Sequence, residues 1–148
     1  MTVTTVKGFI QAKNATITGL SVAACPVNWP QSEIPSFPYQ LCKKADGASR
    51  KVAGQMWSRD TWKLYLFLAK QHQETYTQAI NDADTYIERF RVIYTDPANF
   101  TLSYTPTIVQ VLSNEPEAIK DTGLTEIDYF QQIYYGVIFD LLIQEKEI

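Results

Sequence analysis

The sequence predicts an α+β fold with a single antiparallel or mixed sheet of four strands, and three stretches carry that prediction. Residues 125–145 alternate apolar, β-branched and aromatic side chains with period two, which is typical of a strand. Residues 61–69 alternate in the same way. Residues 74–94 repeat apolar side chains at intervals of three and four, as one face of a helix does. We therefore expect one domain over residues 1–148, with the long helix packed on a face of the sheet.

A short helix is predicted over residues 2–14, at the start of the chain. Four apolar residues recur there at helical intervals: Val3, Val6, Phe9 and Ile10. Thr2 is a suitable N-cap for this helix. Gly8 and the β-branched residues weaken the helical pattern, so a strand is the alternative.

The segment from residue 20 to residue 38 is predicted to be an extended connector on the protein surface. It contains four prolines, which forbid a helix and remove backbone donors from a sheet. Ile34 and Phe37 are its apolar residues closest to the next predicted strand, and we expect both to face inward.

Two strands, over residues 37–44 and 61–69, are predicted to be joined by a long hairpin loop over residues 45–60. Small residues make this loop mobile, and a connection of this length inside a domain is usually functional or disordered. Its candidate contact residues are Arg50, Lys51, Met56, Trp57 and Arg59. The alternative is a solvated loop in which Trp57 folds back on the sheet.

The second half of the chain is predicted to contain the long helix and two further strands. The helix over residues 74–94 ends before Asp96-Pro97. After this helix we predict a loop over residues 97–106, a strand over residues 107–113 and a polar connection over residues 114–124. The strand over 125–145 is the expected centre of the sheet, and Gly136 is the place where so long a strand would bend or bulge. Its odd-numbered face is predicted to hold Ile127, Tyr129, Ile133, Tyr135, Val137, Phe139, Leu141 and Ile143.

Composition indicates a soluble, cytoplasmic protein. The 148 residues are 45% hydrophobic and carry a net charge of −3, which is too small to indicate nucleic-acid or membrane binding. No run reaches about 18 apolar residues, and the N-terminus lacks a signal-peptide pattern. Cys25 and Cys42 fit neither a zinc ligand set nor a redox pair, so we expect two buried free thiols, with one disulfide as the alternative.

The sequence contains no recognisable catalytic or cofactor motif. Its single histidine, His72, lies among polar residues at a predicted strand–helix junction, and neither a GxSxG nucleophile nor a phosphate-binding glycine loop is present. The carboxylates Asp82 and Asp84 are two apart on a helix and therefore point to different faces. We predict that the protein is not an enzyme and holds no cofactor or metal; an active site shared between subunits remains the alternative.

Charge is distributed unevenly along the chain. Residues 43–63 contain six basic and two acidic side chains, whereas residues 114–148 contain eight acidic and two basic ones. These regions could balance each other within one molecule. They could instead join subunits head to tail in a ring, since heterologous contacts close into rings and complementary charge steers them. Nucleic-acid binding by the basic region is a third interpretation, although no aromatic-rich RNA motif accompanies it.

The order of these elements resembles that of the tail terminator proteins of long-tailed bacteriophages. The resemblance covers nearly the whole chain and rests on the Gly19-Leu20 turn, the proline-rich approach WPQSEIPSFP, the two-strand hairpin, the helix and the final YYGVIFDLLIQ strand. It contains no diagnostic motif, so it transfers no functional residue.

The resemblance implies a structural virion protein of the phage neck, assembled in the host cytoplasm. Terminators of this family form a hexameric ring that caps the tail tube, stops its growth and provides the joint for head–tail joining. The implied partners are other copies of the chain, the tail tube protein and the head–tail connector, with the tail sheath as a further candidate. DNA would only pass through the ring, and no membrane would be involved. The alternatives are another neck component, such as a head-closure or connector protein, and a small ligand-binding or enzymatic α+β domain.

Overall fold

The last strand of the chain organises the sheet in the computed structural model, which describes residues 3–52, 55–96, 101–104, 107–111 and 119–147. The strands are β1 (Tyr39–Val52), β2 (Gln55–Lys70), β3 (Thr101–Tyr104), β4 (Thr107–Val111), β5 (Ile119–Asp121), β6 (Thr125–Tyr129) and β7 (Gln132–Glu147). The main order is β1-β2-β7-β4-β3, and β5 and β6 also pair with β7. All these pairs are antiparallel. The α+β class and the central last strand are thus confirmed, with more strands than the four predicted.

In the described part of the chain, two helices cover one face of this sheet, which we call the helix face and define by Val137, Phe139 and Leu141. They are α1 (Val3–Asn14) and α2 (Tyr76–Tyr94), and one 3₁₀ turn, Gln73–Thr75, precedes α2. The ring of Phe90 stacks on that of Phe139, with 4.3 Å between the centroids. Both predicted helices are therefore confirmed, with α2 starting two residues later than expected; Thr2 lies outside the described residues.

A buried polar network joins the two helices to β1. Asn14 Nδ2 donates to Gln40 Oε1 at 2.9 Å and to Gln11 Oε1 at 3.3 Å. Gln11 Nε2 donates to the backbone oxygens of Gln40 and Pro26, at 3.0 and 2.8 Å. Tyr94, from the end of α2, donates its hydroxyl hydrogen to Asn14 Oδ1. Because buried polar groups are costly unless paired, this network fixes where α1 and α2 meet the edge of the sheet.

The proline-rich segment covers the opposite face, which we call the connector face and define by Tyr65, Phe67 and Tyr134. Trp29 packs against the rings of Tyr65 and Tyr129, each at 5.6 Å, and its Nε1 donates to the backbone oxygen of Cys42 at 2.9 Å. The predicted inward position of Ile34 is confirmed. Phe37 packs on Tyr134 but stays 38% exposed, so the prediction for this residue was only partly right. Cys25 and Cys42 are both free and buried.

The predicted single strand over residues 125–145 is in fact two strands, β6 and β7, joined by the two-residue turn Phe130-Gln131. Ile127 lies opposite Tyr134 and Tyr129 opposite Gln132. Directly opposed residues share a face, so Ile127 and Tyr129 belong to the connector face and do not share a face with Val137 and Phe139, as was predicted. The predicted alternation is correct within β7, where Val137, Phe139, Leu141 and Ile143 are buried.

The expected irregularity near Gly136 occurs in the neighbouring strand. Gly136 pairs with Phe67, and the register of β2 shifts between Phe67 and Ala69. A Cβ atom at Gly136 would lie 2.1 Å from the backbone oxygen of Leu66. Glycine is therefore required here because the two strands approach closely, while the bulge itself is in β2.

The predicted loop over residues 45–60 was wrong, because these residues extend β1 to Val52 and start β2 at Gln55. Small and basic residues are poor indicators of a strand, but pairing between β1 and β2 holds these residues in the extended conformation. Pairing also creates β3 within the predicted loop over 97–106 and β5 within the predicted connection over 114–124. The predicted strand over 107–113 is observed as β4; residues 112 and 113 lie outside the described part.

Candidate assembly surface

The five candidate contact residues lie on what we call the distal hairpin, the part of β1 and β2 formed by Lys43–Val52 and Gln55–Lys63. Arg50 pairs with Trp57 across the hairpin, and Lys51 pairs with Met56. Arg59, two residues further along β2, pairs with Ala48. The structure thus brings these five positions together through strand register and not through a mobile loop.

Trp57 and Arg59 line an open depression of about 360 Å³ on this hairpin. Its lining is Ala48, Ser49, Trp57, Ser58, Arg59 and Gln144. Arg59 is exposed, and its Nε donates to Gln144 Oε1 of β7 at 3.3 Å. Trp57 is half-buried and pairs with Lys146 of β7. The indole is therefore held by the sheet while part of its surface stays accessible, as an apolar contact residue requires.

Gly47 and Asp60 fix the shape of the hairpin where it leaves the core. Asp60 is buried opposite Gly47, and a Cβ atom at Gly47 would lie 1.8 Å from Asp60 Oδ1. The carboxylate forms an ion pair with Lys44 Nζ at 3.4 Å. The register of β1 shifts between Lys44 and Asp46, directly beside this ion pair. The sequence contains no signal for this contact, because it depends on which residues face each other.

The charge asymmetry is partly balanced inside the molecule. Among the described contacts, Lys44 pairs with Asp60, and Lys63 pairs with Asp140 of β7 at 3.0 Å. Lys43 lies over the ring of Tyr65, with Nζ 5.6 Å from its centroid. Each ion pair is neutral overall and so reduces the net positive charge of the hairpin, and the partly exposed pair of Lys63 and Asp140 contributes little to stability.

A second surface was not predicted, namely the hairpin formed by β6 and β7. Its turn residues Phe130 and Gln131 have φ angles of 52° and 64°, and Phe130 is 55% exposed. Glu126 and Asp128 on β6 are also exposed. Two-residue hairpin turns usually contain glycine or asparagine, and Phe-Gln contains neither. The alternation of residues therefore predicted one uninterrupted strand across this turn.

The structure offers few groups for chemistry in its described part. His72 is exposed, and its Nδ1 accepts a hydrogen bond from the backbone N–H of Glu74 at 3.2 Å, which places it at the start of the 3₁₀ turn. Within the described ranges, no cluster of three or more His, Cys, Asp or Glu side chains could hold a metal ion. Neither α1 nor α2 is long and apolar enough to cross a membrane.

Over the residues that the structure describes, the protein belongs to the α+β class, with one antiparallel sheet, two helices on one face and a long basic hairpin at its edge. The sequence matches no protein-family model, and no similar sequence is found among curated proteins.

Proposed function

We propose that this chain is a tail terminator subunit of a long-tailed bacteriophage, which forms a ring, caps the tail tube and provides the joint to the head connector. The observation that supports the proposal most directly is the distal hairpin. Its outer strand presents a continuous exposed run, Lys43–Ser49, and a further exposed cation at Lys51. Long exposed edge strands allow another chain to pair with them, so this edge is suited to assembly.

The order of the described elements also supports the proposal. A short helix, a two-stranded hairpin, a long helix and a final long strand follow one another, as the resemblance to tail terminators implies. The hairpin is longer than the sequence predicted, and this lengthens the surface available to a neighbour or to the tube.

Capping in this proposal is a matter of binding and not of catalysis. The ring covers the exposed end of the last tube ring, so no further tube subunit can dock there. Trp57 and Met56 supply apolar contacts, while Arg50 and Lys51 guide the approach of an acidic partner. Tryptophan and arginine are enriched among the residues that contribute most binding energy at protein interfaces.

The first experiment measures the mass of the purified protein by light scattering, at low and moderate salt, alone and with the tail tube protein of the same phage. We expect a hexamer, or a monomer that becomes a hexamer only with tube protein. A protein that stays monomeric and does not bind the tube protein would contradict the proposal. Binding to the connector without binding to the tube would favour a head-closure protein instead.

A double variant, Trp57→Ala with Arg50→Ala, tests the distal hairpin itself. We expect it to lose oligomerisation or tube binding, whereas the conservative pair Trp57→Phe and Arg50→Lys keeps both. Lys13→Ala with Val92→Ala, on the helices, is the control and should assemble normally. If the alanine double variant assembles and caps the tube as the unaltered protein does, the distal hairpin takes part in neither process.

DNA passes through such a ring without being held. We expect the surface that faces the channel to be acidic or neutral, because basic residues would bind the phosphates. Electron microscopy of the assembled ring shows which residues line the channel, and a strongly basic lining would contradict this expectation.

A further inference from the structure

The turn between β6 and β7 combines backbone strain with an exposed aromatic ring. Phe130 and Gln131 both adopt positive φ angles, which are unfavourable for residues other than glycine. Phe130 nevertheless leaves 55% of its surface exposed and contacts Tyr129 at 6.2 Å between centroids. Strained backbone that persists in a native structure is concentrated at functional sites. An exposed phenylalanine at a strained tip is therefore a candidate contact point.

The strand that leads into this turn has an acidic outer edge. Among the described strands, β6 pairs with β7 alone. Glu126 and Asp128 are exposed on it, and Glu126 Oε1 accepts a hydrogen bond from Gln71 Nε2 at 2.6 Å. We call residues 125–130 the acidic edge.

The strand β1 has the opposite character on the other side of the sheet. Its only partner among the described strands is β2. Near its start, the chain itself occupies the edge: Gln40 N donates to Ala24 O, and Cys42 O accepts from Trp29 Nε1. Beyond Cys42 the exposed residues include Lys43, Lys44 and Lys51, with Asp46 as the exposed acid. We call residues 43–51 the basic edge.

Strand direction allows these two edges to pair between copies. Because β1, β2, β7 and β6 are consecutive antiparallel neighbours, β1 and β7 run one way and β2 and β6 run the other. A second copy in the same orientation would place its β1 antiparallel to β6 of the first, which continues the alternation of the sheet. Pairing of β1 with β1 would instead bring like charges together, which is unfavourable.

We propose that the acidic edge of one copy, with Phe130 at its tip, docks on the basic edge of a second copy. This inference rests on the proposed ring and names the contact between its neighbouring subunits. The contact is heterologous, because each copy uses two different surfaces, and a contact of this type closes into a ring when the rotation allows. It joins sheets through backbone hydrogen bonds, with the charges setting the pairing.

Charge reversal tests the pairing by light scattering. Glu126→Lys with Asp128→Lys alters the acidic edge alone, and Ser49→Glu with Lys51→Glu, two positions that strand register places on the same face of the sheet as those acids, alters the basic edge alone. We expect each double variant to lose the oligomer, and a mixture of the two to regain it, because each supplies the edge that the other lacks. The fourfold variant should assemble with itself but not with the unaltered protein.

A matched control separates this contact from general charge effects. Asp84→Lys with Glu88→Lys, on the exposed side of α2, changes the net charge by the same amount as the acidic-edge variant, and we expect its oligomer to be unaffected. If both edge variants assemble like this control while the unaltered protein forms a ring, the contact is wrong and the proposed function stands. If the unaltered protein stays a monomer with and without tube protein, both fail.

Replacement of the turn tests Phe130 separately. Phe130→Asn with Gln131→Gly introduces a preferred two-residue turn, so the hairpin should fold at least as well. We expect a higher melting temperature together with weaker assembly, since the aromatic contact is lost. A variant that is more stable and assembles as well as the unaltered protein would overturn the role of Phe130.

Discussion

The hydroxyl of Tyr94, at the end of α2, donates a hydrogen bond to the side-chain oxygen of Asn14, at the end of α1. Both residues are buried, and Asn14 in turn donates to Gln40 of β1. One hydrogen-bonded chain of side chains thus connects both helices with the outer strand of the sheet, which is the strand that carries the basic edge.

Tyr94→Phe should lower the free energy of unfolding by about 1–3 kcal/mol, because it removes the donor and leaves a buried oxygen without that partner. Urea unfolding followed by circular dichroism measures this loss. Tyr76→Phe is the control, since Tyr76 is exposed and its change should stay within about 0.5 kcal/mol. Equal stabilities for the two variants would show that the network contributes nothing.

Gly136→Ala should destabilise the protein by about 1–3 kcal/mol or more, because the new methyl group would meet the backbone oxygen of Leu66, which cannot move without disturbing β2. Gly8→Ala is a matched comparison: no atom lies within 4 Å of its added Cβ, and Gly8 is in α1. We expect that change to stabilise the protein by about 0.5–1 kcal/mol. Thermal unfolding of both variants shows whether each change raises or lowers the stability. A Gly136→Ala protein as stable as the unaltered one would contradict the close approach of β7 to β2 at this position.

Trp29→Ala should cost about 3 kcal/mol, near the lower end of the range for a core tryptophan, since the residue is only partly buried. The change removes two ring contacts and the hydrogen bond to Cys42, so the connector should also detach more easily from the sheet. Limited proteolysis detects that detachment. Val22→Ala, in the same segment but 80% exposed, should alter neither stability nor proteolysis.

Alkaline pH should destabilise the fold through the two cysteines. Burial raises the pKa of Cys25 and of Cys42 from 9.0 to about 12. Between these values the unfolded chain loses protons that the native state keeps, so the free energy of unfolding falls as pH rises from about 9 to about 12 and is unaffected below that window. Burial also raises the pKa of Tyr94, which acts in the same direction.

Thiol labelling gives a direct check on that prediction. The thiolate is the reactive form, so the native protein should react slowly at pH 8, and the denatured protein should react quickly at both cysteines. Replacing both cysteines with alanine should reduce the slope of stability against pH above 9. Rapid labelling of the native protein would contradict the burial of these thiols.

The elements that pack on a broad apolar surface could be predicted from the regular spacing of their apolar residues. The three- and four-residue spacing of α2 and the alternation within β7 follow directly from burial on one face, so both were predictable from their own residues. The class of fold followed from these two elements and the shorter alternation in β2.

The failures have one physical cause, which is pairing between distant residues. Gly47, Ala48 and Ser49 resemble a loop, yet they form a strand because β2 pairs with them. Phe130 and Gln131 lack turn character, yet the chain reverses there because β6 pairs back on β7. Arg50 and Trp57 occupy paired positions on β1 and β2 because of the same register. The sequence could therefore suggest these candidate residues but could not predict that they pair.

The position of β7 has a consequence for biosynthesis. It contacts β2, β4, β5 and β6, and all of these leave the ribosome before it does. A nascent chain that has not reached residue 132 therefore holds strands without the neighbour that unites them. Pairings between distant residues form slowly, and unpaired strands are prone to aggregate, so we expect the growing chain to be most prone to aggregation before β7 emerges.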